Sequence, residues 1–268
     1  MTSPGRVLFF FCAAGFMAPV VRAAFDDEPV FQATAPWPDA GELVGGVVAA
    51  LPDVPVVVNA QLQSRDRKGS IERAVNVEMR LDWYGQPPSA SYQIRDAFGE
   101  DQEKLCITWP EPGRRAYQYL RGSQPARTPS LDSLIEGTDI SWMDLSLSFL
   151  WWPGGRTVGM ERIKGRQCYV VELPAPSDEP VGYAGVRLWI DPRIHMMLQA
   201  AAYDREGEMQ RLVEVKSFKK VKDLWVIQDL DVQSFPGRHR TSLRVRQVAL
   251  ANEPDAAAEA SPESEPDE

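Results

Sequence analysis

Hydrophobic and polar positions alternate along most of this chain, and the alternation predicts its secondary structure. In "VVVNAQLQSRDRKGSIERAVNVEMRLDWYG" two arms flank a turn at Lys68-Gly69-Ser70. The second arm places Val75, Val77, Met79 and Leu81 on one face and Asn76, Glu78, Arg80 and Asp82 on the other. Successive side chains leave a strand on opposite sides, so strict period-two alternation marks a half-buried antiparallel strand. The C-terminal half follows the same rule. Val186, Leu188 and Ile190 alternate with Arg187, Trp189 and Asp191, and "LQAAAYD" leads through a turn at Arg205-Glu206-Gly207 into "MQRLVEVKSF". Leu224, Val226, Leu230 and Val232 share one parity against Asp229 and Asp231, and Leu243 and Val245 alternate with Arg240, Arg244 and Arg246. The pattern predicts about eleven strands with no internal repeat. Helical spacing occurs over Gly41–Leu51, stopped by Pro52, and over Ser141–Trp152.

These elements do not cover one another. Eleven strands at ~4.8 Å spacing make a sheet about 50 Å around, apolar on one face. Two helices, each ~10 Å wide and ~17 Å long, leave most of that face bare. The sheet must therefore fold on itself as a sandwich or curl into a barrel, and a barrel that does not close leaves an apolar hollow. Its wall is expected to comprise Val77, Met79, Ile94, Ile107, Trp109, Leu188, Leu198, Val213, Val226 and Val245, each at the apolar parity of its strand. Ala200 and Ala202, small and at inward parity, would deepen it. The aromatic segment Gly137–Gly155 is expected to lie over the mouth as a lid formed by Trp142, Leu145, Phe149, Trp151 and Trp152. Trp142, Leu145 and Phe149 fall at i, i+3, i+7 and share a helix face, and Pro153 with the two following glycines stops the helix.

Composition changes this picture at the ends. Residues 1–23 carry Arg6, an apolar run to Val21 and small residues around Ala23 or Ala24, the pattern of a cleaved signal peptide. A lipid-attachment role for Cys12 is disfavoured by the bulky Phe9, Phe10 and Phe11 before it. Residues 24–38 form an irregular lead-in, residues 39–250 the domain, and residues 251–268 an acidic tail of Pro, Ala and Glu, expected to be disordered and solubilising. The formal charge is −9, but the tail holds seven acids; the remainder sums to −2, or −4 without Arg6 and Arg22. A mildly acidic body argues against nucleic acid as a partner, which needs a clustered basic face. The arginine row Arg240, Arg244, Arg246 is read as a solvated face compensated by Glu214, Asp229 and Asp231 rather than as a phosphate site. Cys106 and Cys168 allow one disulfide in an oxidising compartment, but nothing in their spacing brings them together, and two buried thiols is the preferred reading.

Catalytic chemistry finds little footing. His195 and His239, the only histidines, belong to no zinc-ligand pattern, and no metal or cofactor site is expected. There is no G-x-S-x-G elbow, Walker loop or dinucleotide fingerprint, and "GGRTVG" lacks the Lys-Ser/Thr of a P-loop. Asp139 and Asp144 as a carboxylate pair would need a separation of ~5–10 Å. They suit a helix entry better, with Thr138 or Asp139 as the cap. No catalytic residue is assigned, and the chain is read as a non-enzyme.

The segments "GTDISWMDL" and "FLWW", then "IKGRQCYVVELP", "VRLWID", "LQAAAYDREGEMQRLVEVKSFKKVKDLWVIQDLDVQ" and "HRTSLRV", resemble the outer-membrane lipoprotein-sorting proteins of the LolA-like superfamily. They are most similar to its treponemal-type branch, in which G-[ST]-D-[FI]-[ST]-x-x-D-[LM] precedes a G-R-x-C-Y strand. The resemblance spans Ala40–Leu250 and is most specific over Leu134–Val245; Gly137, Asp139 and Asp144 match its fixed positions. It implies a mainly β fold, an unclosed antiparallel barrel of about eleven strands with short helices over the concave face. It also implies a periplasmic carrier or chaperone that binds acyl chains of lipoproteins or lipids and sorts them towards the outer membrane, with an inner-membrane transporter complex as a candidate partner. The alternative is a non-transporting envelope interaction or stress-sensing module on the same fold, using its outer face or exposed tryptophans.

Overall fold

A computed structural model describes residues 36–250 apart from 67–68, 112–113, 222–223 and 238. The expected signal segment, most of the lead-in, the acidic tail and the turn residue Lys68 lie outside the described residues. Helix α1 (Ala40–Ala49) comes first, its amino end capped by Asp39, whose carboxylate accepts from the Glu42 N–H at 3.0 Å. Strands β1 (Val56–Arg65), β2 (Ile71–Asp82), β3 (Ser89–Arg95), β4 (Asp101–Glu111), β5 (Arg114–Arg121) and β6 (Gln124–Ala126) follow. A long connection holding α2 (Trp142–Ser146) and a 3-10 turn (Ser148–Trp151) leads to β7 (Arg156–Ile163), β8 (Arg166–Pro174) and β9 (Gly185–Asp191). The described residues end with β10 (Met196–Tyr203), β11 (Met209–Val221), β12 (Leu224–Ser234) and β13 (Arg240–Leu250).

Among the described residues thirteen strands form one antiparallel sheet, ordered β6-β5-β4-β3-β2-β1-β13-β12-β11-β10-β9-β8-β7. It is an unclosed barrel: two meanders meet at a seam where β1 pairs with β13, and the free edges are β6 and β7. The sequence pattern undercounts the strands because β5 turns Arg115, Tyr117 and Tyr119 inward, and β6 has three exposed residues and no alternation to detect. β6 is short and carries Pro125, while β7 carries Arg156, Glu161 and Arg162; both features discourage pairing with another sheet.

β6 and β7 follow one another in the chain yet occupy opposite edges, so their connection must pass over the concave side. Its apolar residues are what that side needs. Leu131, Ile135, Ile140, Trp142, Met143, Phe149, Leu150 and Trp152 join Leu62, Val77, Ile94, Ile107 and Leu188 in one core. The single helix expected over Ser141–Trp152 is in fact broken. α2 ends at Leu147, which adopts a left-handed conformation (φ 51°), and the chain then tightens into the 3-10 turn. The cap is Ser141, not Thr138 or Asp139: the Ser141 hydroxyl accepts from the Asp144 N–H, and the Asp144 carboxylate accepts from the Ser141 N–H.

One wall position is also corrected. A bulge between Met197 and Gln199 shifts the register of β10, so Met197, Ala200 and Ala202 face the main core while Leu198 points the other way. Leu198 joins a second apolar cluster with Cys168, Val170, Trp189, Ala201 and Tyr203 on the opposite face of β8–β10. The outer face there is less polar than alternation with Arg187 and Asp191 suggests. The outer face also carries paired charges: Glu172 of β8 holds Arg156 and Arg187, Asp229 stands opposite Arg244, and Arg240 lies 3.5 Å from Asp231. Cys106 on β4 and Cys168 on β8 are free thiols. Burial pushes Cys168 up to about 11, leaving it almost wholly protonated at neutral pH.

Candidate functional site

The main cavity lies between the concave sheet face, the carboxyl end of α1 and the β6–β7 connection, with a volume of about 400 Å³. α1 and the loop after it contribute Val47, Ala50, Leu51 and Pro52. The sheet contributes Val56 and Val58 of β1, Met79 and Leu81 of β2, Tyr92 of β3, and Leu230, Leu243 and Val245 of β12 and β13. The connection supplies Leu145, Ser146, Leu147 and Leu150, and the rim is made by Ile194, His195 and Met196 with Trp225, Val226 and Ile227. Ser146, Tyr92 and His195 are the polar exceptions apart from the indole N–H groups. Burial pushes the Tyr92 phenol well above its usual range, so it stays neutral. This volume falls in the range of ligand pockets, and an almost wholly apolar wall suits hydrocarbon rather than a charged metabolite.

A second hollow of about 530 Å³ opens on the other side of Trp83, lined by Gly45, Val48 and Ala49 of α1 with Tyr84, Pro88, Trp109, Pro110, Glu111 and Trp151. Three indoles separate the two spaces. Trp83 stacks on Trp151 at 5.0 Å, and Trp109 lies 5.1 Å from Trp151 and 5.6 Å from Trp83. Aromatic contact at these spacings adds to simple burial.

Of the ten wall positions expected from the sequence, Met79, Val226 and Val245 line the main cavity and Trp109 lines the second hollow. Val77, Ile94, Ile107, Leu188 and Val213 lie in the concave core beneath, and Leu198 is on the opposite face. The residues that alternation misses are Leu51, Pro52, Ile194 and His195, which come from turns and carry no period. Of the expected lid, Leu145 lines the cavity, while Trp151 belongs to the indole cluster. Trp142 is packed edge-on against Tyr119 at 6.1 Å, and Phe149 against Trp152 at 6.5 Å. Phe149 is 2% exposed and does not line the cavity, so Phe149→Ala should lower stability by ~3–5 kcal/mol in urea unfolding. A loss under ~1 kcal/mol would mean that this position is not packed as core.

A buried polar network ties the connection to the sheet. Asp144 Oδ2 accepts from the Ser141 N–H at 2.8 Å, the Ser141 hydroxyl at 2.6 Å and Arg211 Nε at 2.7 Å. Arg211 also reaches Ser234 at 3.3 Å. Asp139 donates its N–H to the Thr241 hydroxyl at 2.8 Å, and its carboxylate accepts from that hydroxyl at 3.0 Å. Both carboxylates of the imagined catalytic pair are thus engaged in holding α2 on β11 and β13. A second buried pair, Arg115 and Glu179 at 3.1 Å, receives the Tyr117 hydroxyl at 2.9 Å. Burial holds the Glu179 carboxyl above the usual range despite the opposing Arg115. His195 sits in the β9–β10 turn and His239 before β13. Among the described residues no group of three or more His, Cys, Asp or Glu is placed to hold a metal ion, and no helix is long and apolar enough to cross a membrane.

An open antiparallel sheet curled around an apolar hollow, with α1 and a long connection on its concave side, is a LolA-like fold. A DUF1329 family protein from Desulfovibrio piger ATCC 29098 superposes with a TM-score of 0.68 at 12% identity, over 81% of this chain and 93% of that one. An outer membrane lipoprotein-sorting protein domain from Vibrio parahaemolyticus gives 0.67 at 13% identity, over 81% and 94%. A LolA superfamily protein from Nitrosomonas europaea gives 0.63 at 15%, over 81% and 96%. The chain belongs to the family whose model, described as "Uncharacterized protein", matches residues 100–257, more than half its length. No curated protein matches it. At such identities the structural likeness concerns the fold alone.

Proposed function

We propose that this protein is a periplasmic carrier that binds acyl chains of lipids or lipoproteins in the main cavity and moves them towards the outer membrane. The observation that carries this reading is the cavity of about 400 Å³ whose wall is apolar except for Ser146, Tyr92, His195 and the Trp83 and Trp225 indole N–H groups. An alkyl chain needs no hydrogen bonds, and a charged ligand would find no buried partner there. The wall is composite, drawn from sheet, helix and connection, so a modest separation of these parts would widen it for a bulkier cargo. Non-enzymatic transport also accords with Asp139 and Asp144 being occupied by structural hydrogen bonds. The fold relatives support the reading to the extent that one is described as an outer membrane lipoprotein-sorting protein domain.

The test is direct. Protein purified from its native envelope should release acyl lipid on extraction with organic solvent, detected by mass spectrometry. After delipidation, adding a long-chain fatty acid should shift tryptophan emission, because Trp83 and Trp225 border the cavity. A delipidated, folded protein that neither carries lipid nor changes its emission on lipid addition would sink the carrier reading.

A further inference from the structure

The distal half of the β11–β12 hairpin runs past the ladders that join it to its neighbours. β11 last pairs with β10 at Glu214 opposite Gln199, and β12 last pairs with β13 at Asp229 opposite Arg244. Beyond these points, among the described residues, the two strands pair only with each other, Phe218 opposite Ile227 and Lys220 opposite Trp225. The composition of this ribbon is unlike the rest of the chain. Four of the seven lysines fall within residues 216–222 of a protein whose formal charge is −9. Lys216 is offset by Glu214 at 2.8 Å and Asp231 at 3.5 Å. Lys219 and Lys220 lie nearer the tip, where Trp225 is 52% exposed and meets Phe218 edge-on at 6.0 Å.

The position of the ribbon matters as much as its composition. Trp225, Val226 and Ile227 form one side of the cavity rim. β2 ends at the same end of the sheet, since Val56 pairs with both Leu81 and Leu250, and just beyond it Tyr84 is 56% exposed beside the second hollow. Two half-exposed amphipathic rings therefore flank the openings, and lysines adjoin one of them. Tryptophan and tyrosine favour the headgroup level of a bilayer, and lysines near an anionic surface are attracted to its phosphates. Among the described residues the exposed acids at this end, Asp53 and Glu111, lie before β1 and on β4; in the sequence Asp223 adjoins Lys222 between β11 and β12, so residues 216–223 carry four lysines against one acid.

We propose that the β11–β12 ribbon, with Tyr84 as a second contact, docks on an anionic lipid bilayer, placing Trp225 among the headgroups and the cavity mouth against the membrane. This is independent of what the cavity carries, because the contact needs no cargo. The experiment is co-flotation with vesicles of phosphatidylcholine alone or mixed with phosphatidylglycerol, the natural chain and variants being prepared identically. Binding to the anionic vesicles should exceed binding to the zwitterionic ones and weaken with salt. Lys219→Gln/Lys220→Gln should weaken it by on the order of tenfold or more, about fivefold per lysine, and Trp225→Ala should weaken binding to both vesicle types several-fold. Failure to bind anionic vesicles, indifference to their charge, or unchanged binding in either variant would overturn the proposal. Displacement of a fluorescent fatty acid, measured in the lysine variant without vesicles, should be unaffected. If the natural chain fails that displacement assay but still floats with anionic vesicles, the carrier reading falls and this one stands.

Discussion

Asp144→Ala is expected to remove about 3–5 kcal/mol of folding stability, a large share of the roughly 5–15 kcal/mol that a domain possesses. Asp144 and Arg211 are 4% and 6% exposed, so the loss of one charge strands the other away from water. The same change removes the carboxylate that accepts from the Ser141 N–H and hydroxyl, and with it half of the capping box of α2. The double variant Asp144→Ala/Arg211→Met should recover much of the loss, since it leaves no buried charge unmatched. Urea unfolding of the single and double variants measures both effects. A single variant that loses less than ~1 kcal/mol, or a double variant no better than the single, would show that this pair does not hold the connection to β11.

The largest expected effect on binding comes from filling the cavity. Val226 is half-buried and borders the empty space, so Val226→Trp can place its indole in the hollow without displacing packed core. Acyl-chain affinity should fall by more than about tenfold, equivalent to roughly 1.4 kcal/mol. Stability should change by less than ~1.5 kcal/mol, because overpacking strain arises where no room exists. Fatty-acid displacement and urea unfolding of the same preparation separate the two quantities. A folded Val226→Trp protein that binds acyl chains as tightly as the natural one would place the ligand elsewhere.

The faces of regular strands were legible in the sequence because a strand has an exact side-chain period. Val75, Val77 and Met79 all face inward, as their alternation predicts. Alternation fails where the backbone inserts a residue. The bulge beside Leu198 carries no marker in "MMLQAAAYD", since small and apolar residues occupy both parities. The aromatic connection was legible as something apolar laid over the sheet, but its helical spacing ran through Leu147, where the chain turns left-handed. Leucine gives no warning of that conformation, which persists because the residues on either side, Ser146 and Ser148, are locked in the core. The cavity wall was legible only where strands supply it. Leu51, Pro52 and His195 meet across the mouth because distant turns converge, and long-range convergence leaves no local signature. Arg211 was hidden for the same reason: its partner Asp144 lies on the far side of several strands in the chain, and only the folded topology brings them together.

The seam between β1 and β13 joins residues that are almost the whole domain apart, Val56 lying opposite Leu250. Each wing can zip up from neighbouring hairpins as the chain appears, but the wings cannot join until the last strand is available. Until then the apolar inner face of β1 and its unpaired edge are exposed together, a combination that favours association with other chains. Loss of loop entropy must also precede the reward of that final pairing, which slows the closing step. Chains interrupted just before β13 should therefore accumulate as aggregates rather than as a smaller folded protein, because the second edge of the first strand waits on the last.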